Sequence, residues 1–118
     1  MNSKFSPELM RGSLDLMVLS VLAQGPKYGY LIQRKLRDAS RQMVSVEAGT
    51  LYPLLHRLED ERLIKSKWDR TSGRRRKWYE LTASGRVRLR KQGREWHVYA
   101  DCLRRLLLGV VEPPPKPA

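Results

Sequence analysis

The sequence is poor in cysteine, in long apolar runs and in acidic residues, and each shortage narrows the range of functions. The one cysteine, Cys102, leaves no partner for an intramolecular disulfide and no thiolate cluster for structural zinc. No run of about 18 apolar residues, the length that a membrane-spanning helix needs, occurs in the chain. The chain also does not open on a charged and hydrophobic leader, so we expect a cytoplasmic protein that does not enter a membrane.

Acidic residues are few, 12 against 24 lysines and arginines, which gives a net charge of +12 and a pI near 10.5. The positive charge is concentrated in two clusters. The first consists of Lys65, Lys67, Arg70, Arg74, Arg75, Arg76 and Lys77, and the second of Arg86, Arg88, Arg90, Lys91 and Arg94. A field of this sign attracts polyanions, so the clustering favours nucleic-acid binding over a generally basic surface.

Two helices are expected in the first forty residues. Ser6 is a candidate N-cap with Pro7 at the first helical position, and one continuous helix should run from there to the stop signal Gln24-Gly25-Pro26. A second, shorter helix should begin near Tyr28 and end by Ser40. A chain of 118 residues has room for one modest core around such helices.

A third helix is predicted after a polar connection, with Ser45 as its candidate cap. Its buried face is indicated by four leucines at helical spacing, Leu51, Leu54, Leu55 and Leu58. The opposite face carries small, hydroxylic, aromatic and cationic groups, which are Gly49, Thr50, Tyr52, Pro53, His56 and Arg57. Pro53 lies too far along for the first turn, so the helix should begin later or bend there.

Two segments of alternating character follow, Ile64 to Trp68 and Lys77 to Thr82, and a period of two predicts strands. The connection between them is rich in turn residues and arginine. The pair therefore predicts a β-hairpin with a cationic tip, the element known as a wing.

Thr82 should cap a long last helix that reaches about Leu108. Apolar and aromatic residues recur there at a and d positions of a heptad, namely Leu89, Trp96, Tyr99, Leu103, Leu106 and Val110. A sustained heptad predicts a seam against a second helix, and since the chain offers no such helix, the pattern predicts a homodimer. The tail 112–118 is rich in proline and is expected to be disordered.

Three motifs resemble those of the PadR-type transcriptional regulators, in the short form with one carboxy-terminal helix. They are GPKYGY at residues 25–30, GTLYPLLHRLE at 49–59 and GRRRKWYELT at 73–82, and the likeness extends over about residues 9 to 108. Two positions depart from the family pattern: Arg62 stands where glycine is usual, and Trp78 where tyrosine is frequent. The resemblance implies a mainly α winged helix-turn-helix over residues 1–82 and a dimerisation helix over 83–111.

A DNA-binding surface is expected on the third helix and the wing, because a helix of this kind enters a major groove while the wing touches the adjacent backbone. Thr50, Tyr52, His56 and Arg57 are the candidates for base-edge and phosphate contacts, and the alternative is a solvated polar face. The remaining candidates are Tyr28, Gly49, Pro53, Arg74, Arg75, Arg76 and Lys77. The wing cations should contact phosphate or the minor groove, against the alternative that they only confer solubility.

A dimer and effector region is expected on the last helix around Trp96. Gln92 and Gly93 are poor fillers of a dimer core, so two Trp96 rings facing across the axis could bracket a cavity. Family resemblance implies that an aromatic here stacks on a small hydrophobic or aromatic effector, and the alternative is that Trp96 only packs the interface. The candidate residues are Leu89, Gln92, Gly93, Trp96, Tyr99, Ala100, Leu103 and Leu106.

The residues offer no positive indication of catalysis, a metal or a cofactor. The two histidines, His56 and His97, lie in different elements and have no clustered carboxylates or thiols around them. We therefore expect a non-enzymatic, sequence-specific regulator of double-stranded DNA, a repressor by resemblance, which binds an inverted repeat as a homodimer. The alternatives are a basic RNA-binding or architectural protein and a protein-interaction adaptor.

Overall fold

The computed structural model describes residues 3–70 and 73–116, which contain five helices and three strands. The helices are α1 Pro7–Met10, α2 Leu14–Leu22, α3 Gly29–Ala39, α4 Ala48–Asp60 and α5 Ala83–Leu107. The strands are β1 Lys27–Tyr28, β2 Ile64–Asp69 and β3 Arg76–Leu81. The mainly α fold with a small sheet and a long last helix agrees with the sequence prediction.

The first predicted helix is in fact two helices, so the prediction of one continuous element was wrong. Ser6 caps α1 as expected and accepts the Leu9 amide at 3.3 Å. Gly12 then adopts a φ of 87°, a left-handed conformation that glycine reaches at little cost, and the helical path breaks before Ser13. Periodicity alone did not reveal the break because the apolar spacing continues across it.

The predicted cap of the third helix was also wrong. Glu47 occupies the N-cap position of α4, and Ser45 lies in the preceding connection. The Ser45 amide donates to the Ser3 hydroxyl and its carbonyl accepts from that same hydroxyl, both at 2.8 Å. Helix α4 already begins at Ala48 and contains Pro53, so the alternative that the helix begins later was wrong.

The sheet has three strands in the order β1-β3-β2, all antiparallel. The hairpin of β2 and β3 runs in register from Ile64 opposite Leu81 to Asp69 opposite Arg76, which confirms the predicted pair of strands. Strand β1 was not predicted because two residues are too few to show a period. It pairs Tyr28 with Trp78 and so attaches the start of α3 to the hairpin.

A single apolar core lies between α2, α3, α4 and the sheet. It contains Val18, Leu19, Leu22, Ile32, Leu51, Leu55, Leu58, Ile64 and Tyr79, each at most 2% exposed. The four leucines of α4 are all buried, so the predicted inner face of that helix is confirmed. No polar or charged residue in residues 3–70 and 73–116 is buried.

Helix α5 begins on the core and then leaves it. Thr82 caps it as predicted and accepts the Gly85 amide at 3.0 Å, while Leu89 still packs against the core. Beyond that point the apolar side chains are exposed, with Leu103 at 41% and Leu106 at 72%. Of the described helices, none combines the length and the apolar character required to cross a membrane.

Candidate nucleic-acid interface

The outer face of α4 presents the groups that the sequence indicated. Gly49, Thr50, Pro53 and His56 are exposed, and Tyr52 is 39% exposed. Because the four leucines hold the inner face against the core, these residues project together on the other side of the helix. The helix therefore offers hydroxyl, phenol and imidazole groups on a rigid support.

Tyr52 leans from α4 onto the start of α3. Gly29 is buried there, and a β-carbon added to it would collide with the phenol oxygen of Tyr52. A glycine at this position thus allows the phenol to lie directly on the α3 backbone. The adjacent Tyr28 ring packs edge-on against Trp78 with 5.1 Å between ring centroids.

The wing, defined as residues 64–81, carries cations stacked on aromatic rings. The Arg75 guanidinium lies 4.0 Å from the centroid of the Trp68 ring, and the Arg76 guanidinium lies 4.5 Å from that of Tyr28. Arg74 is exposed. Stacking leaves the edge of a guanidinium free to donate hydrogen bonds to phosphate.

A cleft of about 410 Å³ separates the outer face of α4 from the wing. Its lining residues are Tyr28, Gly29, Tyr52, His56, Trp68, Arg75, Arg76, Lys77 and Tyr79. Six of them were predicted as DNA-binding residues from the sequence. The fold therefore brings an aromatic helix face and a row of cations to the two sides of one groove.

Arg57, a predicted DNA-contacting residue, is engaged within the protein. Its guanidinium contacts both carboxylate oxygens of Asp15 in α2, at 2.6 and 2.9 Å, and Glu61 at 3.0 Å. The Asp15 hydrogen bond is the main reason that the pKa of Arg57 is raised further above its ordinary value. This side chain ties α4 to α2, and its contact with DNA stays a prediction.

Two residues of this region were not singled out in the sequence, Glu59 and Trp68. Glu59 accepts the Ser66 hydroxyl of β2 at 2.5 Å and pairs with Lys77 of β3 at 3.8 Å, so it links the end of α4 to both strands of the wing. Burial, and then the Glu59 charge, raises the pKa of Tyr79. Trp68 is 53% exposed although it lies on the same face of β2 as the buried Ile64, because β2 extends beyond the core.

The predicted dimer and effector residues do not all lie together. Trp96, Tyr99, Ala100 and Leu103 line a groove of about 580 Å³ between α5 and the N-terminal segment, whose opposite wall includes Phe5, Leu9, Met10 and Met17. Leu89 instead packs on the core of its own chain, and Leu106 is exposed beyond the groove. Gln92 and Gly93 are half-buried.

No cluster of three or more histidine, cysteine, aspartate or glutamate side chains that could hold a metal occurs in the described part of the chain. The interface consists instead of a helix, a short turn, a second helix and a basic hairpin. That arrangement defines a winged helix-turn-helix protein of the DNA-binding kind.

Comparison with known proteins gives the family. Residues 18–91 match the model of the transcriptional regulator PadR-like family. The chain is 36% identical over 87 residues to the transcriptional regulator Rv3488 of Mycobacterium tuberculosis, covering 74% of this chain and 78% of that protein. The protein belongs to the PadR-like family of transcriptional regulators.

Solved structures agree with this assignment. A PadR family transcriptional regulator from Eggerthella lenta is 42% identical, with a TM-score of 0.75 over 85% of this chain and 86% of its own. A PadR family regulator from Clostridium difficile is 33% identical, with a TM-score of 0.73 over 81% of this chain and 99% of its own.

Proposed function

We propose that the protein is a sequence-specific repressor that binds an inverted-repeat operator as a homodimer and excludes RNA polymerase from a promoter. The observation that carries the proposal is the cleft between α4 and the wing, in which aromatic groups of the helix face the wing cations Arg75 and Arg76. Such a regulator works where the bacterial chromosome lies, in the cytoplasm.

The two sides of the cleft have different roles in this proposal. Thr50, Tyr52 and His56 read base edges in the major groove, and Gly49 and Pro53 let the backbone of α4 come close to the DNA. Tyr28, Arg74, Arg75, Arg76 and Lys77 contact the sugar-phosphate backbone. Arg57 is assigned a structural role in this proposal, because Asp15 and Glu61 engage three of its N–H donors within the protein.

The homodimer is supported by the apolar surface of α5. Trp96, Tyr99 and Leu103 are 41% to 65% exposed and open onto the groove beside α1. Exposed apolar area of this extent is a feature of interfaces rather than of free surfaces. A second copy whose α5 enters the groove would bury it, and twofold symmetry would then require an operator with two inverted half-sites.

A small hydrophobic or aromatic effector is proposed to bind beside Trp96. The supporting features are the half-exposed indole and the small residues near it, Gly93 and Ala100. Such a ligand would act by favouring one angle between the two DNA-reading heads. The competing proposal, that Trp96 only packs the interface, predicts no saturable binding of flat apolar compounds.

The salt dependence of DNA binding tests the proposal. A dimer that neutralises roughly 6 to 10 phosphates should lose about 10³- to 10⁵-fold in affinity between about 50 and 200 mM salt. The double variant Arg75→Ala/Arg76→Ala should weaken binding and reduce this dependence. Arg104→Ala/Arg105→Ala removes the same charge from the far end of α5, where Asp101 pairs with both arginines, and is the matched control.

Equal losses of DNA affinity in the two double variants would mean that only the net charge of the protein matters. That result would favour a non-specific architectural or RNA-binding protein. Absence of salt-sensitive DNA binding would favour an adaptor. Sedimentation tests the homodimer separately. Wild-type protein should sediment as a dimer, and the Leu103→Glu variant should shift towards monomer. A monomeric wild-type protein would contradict the proposed homodimer.

A further inference from the structure

Trp68 lies on the wing with its indole ring half exposed and a guanidinium stacked on it. It is the next-to-last residue of β2, 53% exposed, and the Arg75 guanidinium lies 4.0 Å from its ring centroid. Its cross-strand partner is Lys77, whose ammonium nitrogen is 5.8 Å from the same ring. An exposed tryptophan on a polar strand thus has two cations around it.

The strand that carries Trp68 is fixed to the helix that faces the cleft. Two residues before it, the Ser66 hydroxyl donates to Glu59 of α4 at 2.5 Å, and Lys77 pairs with the same carboxylate at 3.8 Å. These contacts hold the indole at a set distance from α4. An arginine stacked on the indole is therefore placed relative to the outer face of α4, and not only relative to the wing.

Stacking constrains an arginine without using its hydrogen-bonding groups. The five N–H donors of a guanidinium lie in its plane, so a ring against its face leaves all of them available. A free arginine on a loop loses rotamer freedom when it binds a phosphate, whereas a stacked one has already lost part of it. The indole can thus strengthen DNA binding with no DNA contact of its own.

We propose that Trp68 is a positioning residue that preorganises Arg75 for contact with DNA phosphate. The inference rests on the proposed function, since it requires that the wing meets DNA. It means that an uncharged residue contributes to the affinity for DNA. It also means that Arg75 depends on Trp68, whereas the neighbouring Arg74 does not. Within the described residues, Arg74 is stacked on no aromatic ring.

The test is a double-mutant cycle on binding to a random-sequence duplex of about 30 base pairs, measured across a salt series. Trp68→Ala should weaken wild-type binding about 2- to 10-fold for each wing, the range expected for ordering one long side chain. The salt slope should stay unchanged, because Arg75 still neutralises a phosphate. Arg75→Ala should reduce the slope by about 0.9 for each phosphate that the variant no longer neutralises.

The decisive comparison is between two backgrounds. In Arg75→Ala, the added Trp68→Ala change should have no effect, whereas in Arg74→Ala it should have its full effect. Equal effects in both backgrounds would overturn the proposal, since Trp68 would then act on DNA directly or on the strand. Trp68→Phe, which keeps an aromatic face, should retain most of the affinity.

Two controls separate the possible failures. Thermal unfolding of each variant shows whether the wing remains folded, and a Trp68→Ala protein that unfolds early is replaced by Trp68→Leu. If wild-type protein shows no salt-dependent binding to any duplex, the proposed function itself fails. If wild-type protein binds and the cycle is additive, only the role of Trp68 fails.

Discussion

The phenol of Tyr52 lies so close to Gly29 that no β-carbon fits between the phenol and the α3 backbone. Tyr52 belongs to the DNA-facing side of α4, and Gly29 is buried in the first turn of the preceding helix. The position of a proposed base-reading side chain is therefore set by a buried glycine of the preceding helix.

Gly29→Ala should displace the Tyr52 phenol and weaken operator binding about tenfold, within the range of about 1 to 3 kcal/mol that one base contact contributes. Alanine suits a helix better than glycine, so the fold should tolerate the change. Binding measured in a Tyr52→Ala background provides the control. If Gly29→Ala weakens binding just as much there, the phenol is not the route of the effect.

Arg62 is a position where backbone geometry and sequence conflict. Its φ is 62°, and the Arg62 and Leu63 amides donate to the carbonyls of Glu59 and Leu58, at 2.9 and 3.0 Å. This is the Schellman ending of a helix, in which the left-handed residue is usually glycine. The departure from the family pattern seen in the sequence thus falls on a strained residue.

Arg62→Gly should raise the free energy of unfolding by about 1 kcal/mol, because a left-handed conformation costs roughly that much for a residue with a β-carbon. Chemical denaturation measures the change. Arg62→Ala removes the same charged side chain but keeps the strain, so it should give no such gain. A gain of equal size in both variants would show that charge, and not backbone conformation, was responsible.

Gly85 allows α5 to begin directly on the hairpin. A β-carbon there would collide with the backbone carbonyl oxygen of Leu63, which also accepts the Thr82 amide at 3.1 Å. Gly85→Ala should therefore lower the free energy of unfolding by about 1 to 3 kcal/mol, as overpacking does. Thermal unfolding measures this.

Gly93→Ala is the matched control within the same helix. Nothing lies within 4 Å of a β-carbon at Gly93, and helix propensity favours alanine there by about 1 kcal/mol. The two changes should thus have opposite signs. Destabilisation of similar size in both would contradict the close contact assigned to Gly85.

Arg57 and His56 are neighbours in sequence with different expected roles. Arg57→Ala should lower the free energy of unfolding by up to about 1 kcal/mol, since its ion pairs are partly exposed, and should leave the preferred DNA sequence unchanged. His56→Ala should change the preferred sequence with little loss of stability. Denaturation and binding-site selection on both variants distinguish these outcomes, and a changed preference in Arg57→Ala would restore that residue to the interface.

The periodic parts of the fold were predictable from the sequence, and the parts set by single contacts were not. The leucines of α4, the strands of the wing and the Thr82 cap all follow from local patterns. The break at Gly12 and the two-residue strand β1 do not, because neither interrupts a period.

The candidate site shows the same division. Which residues face outward on α4 follows from the spacing of the leucines. The engagement of Arg57 depends on Asp15, which lies 42 residues earlier, and no local pattern reports such a pairing. Trp68 could have been noticed as an aromatic beside an arginine-rich loop, but its stacking on Arg75 depends on the hairpin register.

Selection of bound duplexes from a random-sequence DNA pool, at about 150 mM salt and with excess RNA as competitor, tests the central claim most directly. The account predicts recovery of an inverted repeat whose half-sites are spaced by about one turn of DNA. Recovery of no sequence above random would contradict sequence-specific binding. The basic clusters would then be explained by non-specific DNA binding alone.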